Sequence, residues 1–105
     1  MNNKRRKKIK DIILDLTNIK NINFISLQNK IEKIFDEEQE AFDNLPENLQ
    51  YTTNGEKSEE AICLLEEAIE SIEEYLSLSI KDKENETIIE DTIDTITSCL
   101  KDAII

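Results

Sequence analysis

Five acids fall within one short stretch, Asp36, Glu37, Glu38, Glu40 and Asp43, and hard-cation chemistry is the first thing such a set suggests. Glu37 and Glu40 stand three apart and share a helix face. A Mg²⁺ site needs several converging oxygens, so this pair requires a second one on another helix. The nearest is Asp91 and Asp94, far downstream. The chain has no His, which removes the commonest general base and the commonest metal ligand. Cys63 and Cys99 stand alone, outside C-x-x-C spacing. They read as buried reduced thiols on apolar helix faces, with a disulfide between them left open. Glu-rich helices generate i, i+3 carboxylate pairs by chance. The cluster therefore reads as a solvated face, and the chain as a non-enzymatic protein with no catalytic residue, metal or cofactor.

The elements that position these residues are helices. One Gly, one Pro and no Trp in 105 residues leave little turn chemistry for a β architecture, whereas the Glu, Lys, Leu and Ile content suits helices. Met1–Lys8 reads as a frayed basic tail. Ile9, Ile12, Ile13, Leu16 and Ile19 follow helical spacing, and the asparagines at 18, 21 and 23 break that helix near residues 20–25. Leu27, Ile31, Ile34, Glu38, Ala41 and Leu45 then alternate steps of four and three, a heptad seam with Phe35 and Phe42 flanking it. Glu38 is the single charge in that apolar column and must be paired, solvated or protonated. Two arrangements meet that need: a lysine or a backbone donor in the turn pairs with it, or the seam opens to solvent there.

Pro46 ends the second helix because it disfavours α conformation at Leu45 and lacks an N–H. Leu49 and Tyr51 read as apolar anchors under the helix ends. Thr53 and Glu56 stand in capping-box register, with Gly55 easing the turn and Asn54 as an alternative cap. Ile62, Leu65, Ile69, Ile72, Leu76 and Ser79 keep the strictest seam of the chain, with Glu66, Glu67, Glu70, Glu73 and Glu74 on its other faces. After a polar break at 81–86, Thr87 and Glu90 form a second capping box before Ile89, Ile93, Ile96, Leu100 and Ala103. The expectation is one all-α domain, with a basic tail at 1–8 and helices at about 9–20, 26–44, 55–80 and 87–104. An antiparallel hairpin would sit within a three- or four-helix bundle. The isoleucine stripes exceed what one hairpin buries, which points to completion by dimerisation.

Charge is segregated. The chain carries a formal net charge of −11, yet residues 1–33 hold nine Lys/Arg against three acids, and residues 34–105 hold four Lys against 21 acids. Such a surface repels nucleic acid and attracts basic partners. Direct nucleic-acid contact is expected only weakly, through Lys4–Lys10, which lacks interleaved aromatics. The apolar run after Lys10 is cut by Asp11 and Asp15, so no secretory signal is read. No stretch is long enough to span a membrane, and a cytoplasmic location in a bacterial host cell is expected.

The stretch Asp36–Gln50, D-E-E-Q-E-A-F-D-N-L-P-E-N-L-Q, followed by Gly55 and Glu56 and by the E-E-A-I-C-L-L-E-E-A-I run of Glu59–Ile69, resembles small acidic helical proteins of bacterial phages and mobile elements. The resemblance covers roughly residues 31–76. Tyr51–Asn54 departs from the Ser/Glu/Arg expected before the glycine. What it implies is a genomic setting, one that favours proteins that bind and block host machinery.

Taken together, these readings point to a binding protein. Its acidic surface, Asp36, Glu37, Glu40, Asp43, Glu66, Glu70, Glu73 and Glu74, would occupy a basic host protein such as a defence or nucleic-acid-binding factor. Two alternatives are a self-assembling helical module and an oligomeric sponge for a small nucleotide held at the basic end.

Overall fold

The computed structural model describes residues 1–17 and 22–105. Four long helices, α1 (Asn3–Leu16), α2 (Phe24–Asp43), α4 (Thr53–Leu76) and α6 (Glu86–Ala103), are joined with two single-turn helices, α3 (Glu47–Gln50) and α5 (Ile80–Lys83). Helix α4 packs on α2 and α6, and α1 closes the ring by packing on the same two. Hydrogen bonds from Ser58 to Glu38 and from Gln28 to Glu73 join opposite ends of α2 and α4, so the two run antiparallel. Arg5 and Lys8 likewise meet Glu38 and Glu37 near the far end of α2. The result is an up-down-up-down four-helix bundle, about 50 × 23 × 18 Å. Among the described residues no helix is long and apolar enough to cross a membrane.

The seams bury as spaced. Ile9, Ile12 and Leu16 of α1, Leu27, Ile31 and Ile34 of α2, Leu65, Ile69 and Ile72 of α4, and Ile93, Ile96 and Leu100 of α6 form one core. Each such side chain contributes about 1.5–3 kcal/mol. Phe24 stacks on Tyr75 with ring centroids 4.3 Å apart, plugging the end where α2 begins and α4 stops. Ile19 lies outside the described residues, as do two of the asparagines expected to break the first helix, Asn18 and Asn21.

Several boundaries differ from the sequence reading. Residues 1–8 are not a frayed tail. Asn2 caps α1 by accepting the Arg5 N–H at 2.8 Å, so the basic run is helical, and Met1 packs against the core. Helix α4 takes Thr52 as its cap, one residue before the expected Thr53, because Thr52 already has the extended backbone a cap requires. Gly55 has ordinary helical geometry. It is glycine because a Cβ there would overlap the carbonyl oxygens of Leu49 and Gln50, where α3 lies against α4. Helix α4 stops at Leu76, since Ser77 turns its hydroxyl back to the Glu74 carbonyl, a local bond that competes with the helix ladder. Ser79, expected in the seam of a helix running to residue 80, instead caps α5, which overlaps the expected polar break at 81–86. Asn85 replaces the Thr87–Glu90 box as cap of α6, accepting N–H groups from Thr87 and Ile88.

The α2–α4 connection also departs from expectation. Leu49 and Tyr51 do not tuck under the helix ends but stand 43% and 76% exposed. Gln50 does the anchoring instead. Its side-chain amide donates to the Phe42 and Leu45 carbonyls at 3.4 and 3.2 Å, tying the connection to the end of α2.

Candidate functional site

Two groups of carboxylates are built on α2, and they differ in kind. The first centres on Glu38, 1% exposed. Its Oε2 accepts from Arg5 Nε at 2.6 Å, and its Oε1 accepts from Ser58 Oγ at 2.6 Å and lies 3.3 Å from the Met1 amine. The partner is therefore an arginine, an α-amine and a serine hydroxyl, in place of the lysine or backbone donor expected. Burial pushes the Glu38 carboxyl up, but the hydrogen bonds from Ser58 and Arg5 and the charges of the amine and Arg5 outweigh it, holding the carboxyl below its ordinary value of 4.5. An ionised carboxylate with its oxygens already occupied is a poor general base. It joins α1, α2 and α4 at one end of the bundle, beside a cleft of about 290 Å³ bordered by Leu45, Thr52 and Gly55.

The second group is open. Asp36 and Glu32 of α2 face Glu66, Glu70 and Glu73 of α4 across a groove of about 340 Å³ floored by Phe35 and Ile69. Asp36, Glu66, Glu70 and Glu73 are exposed. Gln28 spans the groove's margin by donating to Glu73 at 3.3 Å. Among the described residues no lysine or arginine pairs with any of the five. Like charges one helical turn apart, as at Glu66 and Glu70, repel by a few tenths of a kcal/mol, and here two helices add their charges together.

Four of the eight expected acidic-surface residues thus converge: Asp36, Glu66, Glu70 and Glu73. Glu37 does not belong to a free surface, because Lys8 pairs with it at 3.3 Å. Glu40, Asp43 and Glu74 are exposed but do not border the groove, and Asp43 accepts from Gln39 at 3.0 Å. Glu32 borders the groove as well. Its spacing of four from Asp36 was the available signal, obscured by the basic residues around it.

Other candidate chemistry disperses. Glu37 and Glu40 stand on α2 and Asp91 and Asp94 on α6, and these helices occupy opposite corners of the ring. Among the described residues no group of three or more Cys, Asp or Glu side chains is placed to hold a metal ion. The two cysteines are free. Cys63 is exposed, contrary to the buried thiol expected, because α4 turns residues 61, 62, 65 and 68 inward and carries 63 outside that stripe. Cys99 is buried and donates to Glu67 Oε2 at 3.7 Å. Burial and the nearby Glu67 and Asp102 push its thiol up, away from the thiolate that nucleophilic chemistry requires.

Comparison of the chain with protein-family models, with curated proteins and with solved structures returns no match.

Proposed function

We propose that this is a non-enzymatic binding protein that receives a basic surface on the α2–α4 groove. The observation that carries the reading is the convergence of Glu32, Asp36, Glu66, Glu70 and Glu73 on one exposed channel with no cation of the described chain paired to them. Bringing so many like charges together costs stability, and a cationic partner relieves that cost on binding. Along α4, Glu66, Glu70 and Glu73 are set about 6 and 4.5 Å apart at 1.5 Å per residue. That repeat resembles a nucleic-acid backbone in charge, though not in exact geometry. A nucleic-acid-binding protein of a bacterial host is accordingly the favoured partner, and the phage or mobile-element setting implied by residues 31–76 fits an inhibitor of host defence.

The test replaces Asp36 by Asn and Glu66, Glu70 and Glu73 by Gln, which keeps the helices nearly unchanged in propensity, with Glu74→Gln as a control outside the groove. Wild type and variants are compared for capture of proteins from bacterial lysate and for binding of a defined oligo-lysine peptide, across a salt series. Wild type and Glu74→Gln should bind the peptide and retain a basic protein that DNA or RNA displaces, and the groove variant should do neither. Equal binding by all three, insensitive to salt, would reject the acidic groove as the interface.

A further inference from the structure

The unpartnered outer face of α1 is the counterpart of the groove. Lys4, Lys7 and Lys10 are exposed and unpaired among the described residues. At 3.6 residues per turn they fall within a sector of about 120°. One turn beyond Lys10 stands Leu14, 67% exposed. We infer that this face docks into the α2–α4 groove of a second copy of the chain, so that the groove's first basic partner is the protein itself. The inference rests on the groove being a receptor for cations, as proposed above, and names its occupant.

Three observations support this occupant. The charges complement one another within a single chain: Lys4, Lys7 and Lys10, with Asp11 in the same sector, carry a net charge of +2 against five carboxylates that no cation of the described residues pairs with. The spans agree: Lys4 to Lys10 covers about 9 Å of helix and Glu66 to Glu73 about 10.5 Å. Lysine stems laid in the groove would also cover Phe35 and Ile69 while keeping their ammonium groups at the acidic rims. Within the monomer α1 already meets α2 in this manner, through Lys8 with Glu37 and Arg5 with Glu38. A two-fold arrangement would make the contact twice, as an isologous interface requires.

The experiment measures molar mass by sedimentation at low and physiological salt for the full chain and two charge-reversal variants. One carries Lys4→Glu, Lys7→Glu and Lys10→Glu, the other Glu66→Lys, Glu70→Lys and Glu73→Lys, with circular dichroism to establish that each is folded. Wild type should dimerise at low salt, with its dissociation constant rising at least tenfold toward physiological salt. Each variant alone should be monomeric. Their mixture should form a heterodimer, because each then offers the sign that the other's face needs. A wild type that stays monomeric at every concentration, or a dimer unmoved by salt and by both reversals, would overturn the inference. If a variant fails to fold, Lys4, Lys7 and Lys10→Gln and Glu66, Glu70 and Glu73→Gln replace the reversals, and each must weaken the dimer at least tenfold. Oligo-lysine binding separates the two readings. A wild-type monomer that binds the peptide through the groove loses only this inference, whereas loss of groove-dependent peptide binding removes both.

Discussion

Replacing Glu38 by Gln should be the most damaging isosteric change in the chain. The substitution keeps volume and an oxygen for Ser58 and the Met1 amine, but it puts an NH₂ where Arg5 Nε now finds an acceptor. Donors then face donors in a place 1% exposed to solvent. Removing one partner of a buried pair costs about 3–5 kcal/mol. The adjoining cleft lets Arg5, itself 14% exposed, regain some water, so about 3 kcal/mol is expected. For a chain of this size that corresponds to a fall in melting temperature of about 12 °C or more, a large share of the roughly 5–15 kcal/mol that holds a small domain together. Changing both Glu38 and Arg5 to Met should recover part of the loss, because the guanidinium is then no longer stranded and only the Met1 amine is left without its acceptor.

The pH dependence follows from the direction of the Glu38 shift. The carboxyl is held below its ordinary value of 4.5 in the folded chain, so the unfolded chain binds its proton more readily. The stability it contributes is fully present above pH 4.5 and is lost as pH falls through the folded value. The gap between wild type and Glu38→Gln, read by chemical denaturation at successive pH values, should therefore be constant near neutrality and narrow below about pH 4.5. A variant melting within about 2 °C of wild type, or a gap that does not change with acid, would refute the view that Glu38 is a charged structural tie.

Other expectations follow from individual contacts. Deleting residues 1–8 should lower the melting temperature at least as far as Arg5→Ala, because the deletion removes Arg5, Lys8 and the α1 cap together; calorimetry of the two variants checks this. Gly55→Ala should destabilise by about 1–3 kcal/mol, the usual range for overpacking, since its methyl meets backbone rather than a flexible side chain, and denaturant titration reads the loss. A thiol reagent should modify Cys63 in the native protein and reach Cys99 only on unfolding, with peptide mass mapping distinguishing the two.

The architecture was legible where burial is decided by periodicity. Ile31, Ile34, Leu65, Ile72, Ile96 and Leu100 lie in the core as their spacing requires, because one face of a helix in a bundle has no alternative to burial. Caps were less legible. Thr52 and Thr53, or Asn85 and Thr87, are chemically near-equivalent candidates, and the backbone angle that decides between them is set by how the preceding turn packs. The role of Arg5 was hidden for a different reason. A run of Lys and Arg at the start of a chain has the composition of a frayed segment, and only the packing of α1 against α2 turns one of those cations toward Glu38. The seam did announce that Glu38 needed a partner, without saying which. The groove lay between these cases: periodicity placed Glu66, Glu70 and Glu73 on the outside of α4, but their meeting with Glu32 and Asp36 depends on how α2 is rotated.

The two acidic groups also show why the chain tolerates so uneven a distribution of charge. Carboxylates inside the bundle and carboxylates on its flank obey different rules. Glu38 is taken out of water and is satisfied at once by groups fixed in the fold, so salt barely screens it. The groove acids remain in water, repel one another weakly and are screened within about 8 Å at physiological ionic strength. The first arrangement fixes α1 to the rest of the bundle. The second leaves a field that any cation can relieve, and the only constraint the fold adds is the separation of the two helices that carry it. Because α1 uses Arg5 and Lys8 internally and turns Lys4, Lys7 and Lys10 outward, one helix serves both purposes: two of its six cations secure the monomer, and three remain available for a surface of opposite sign.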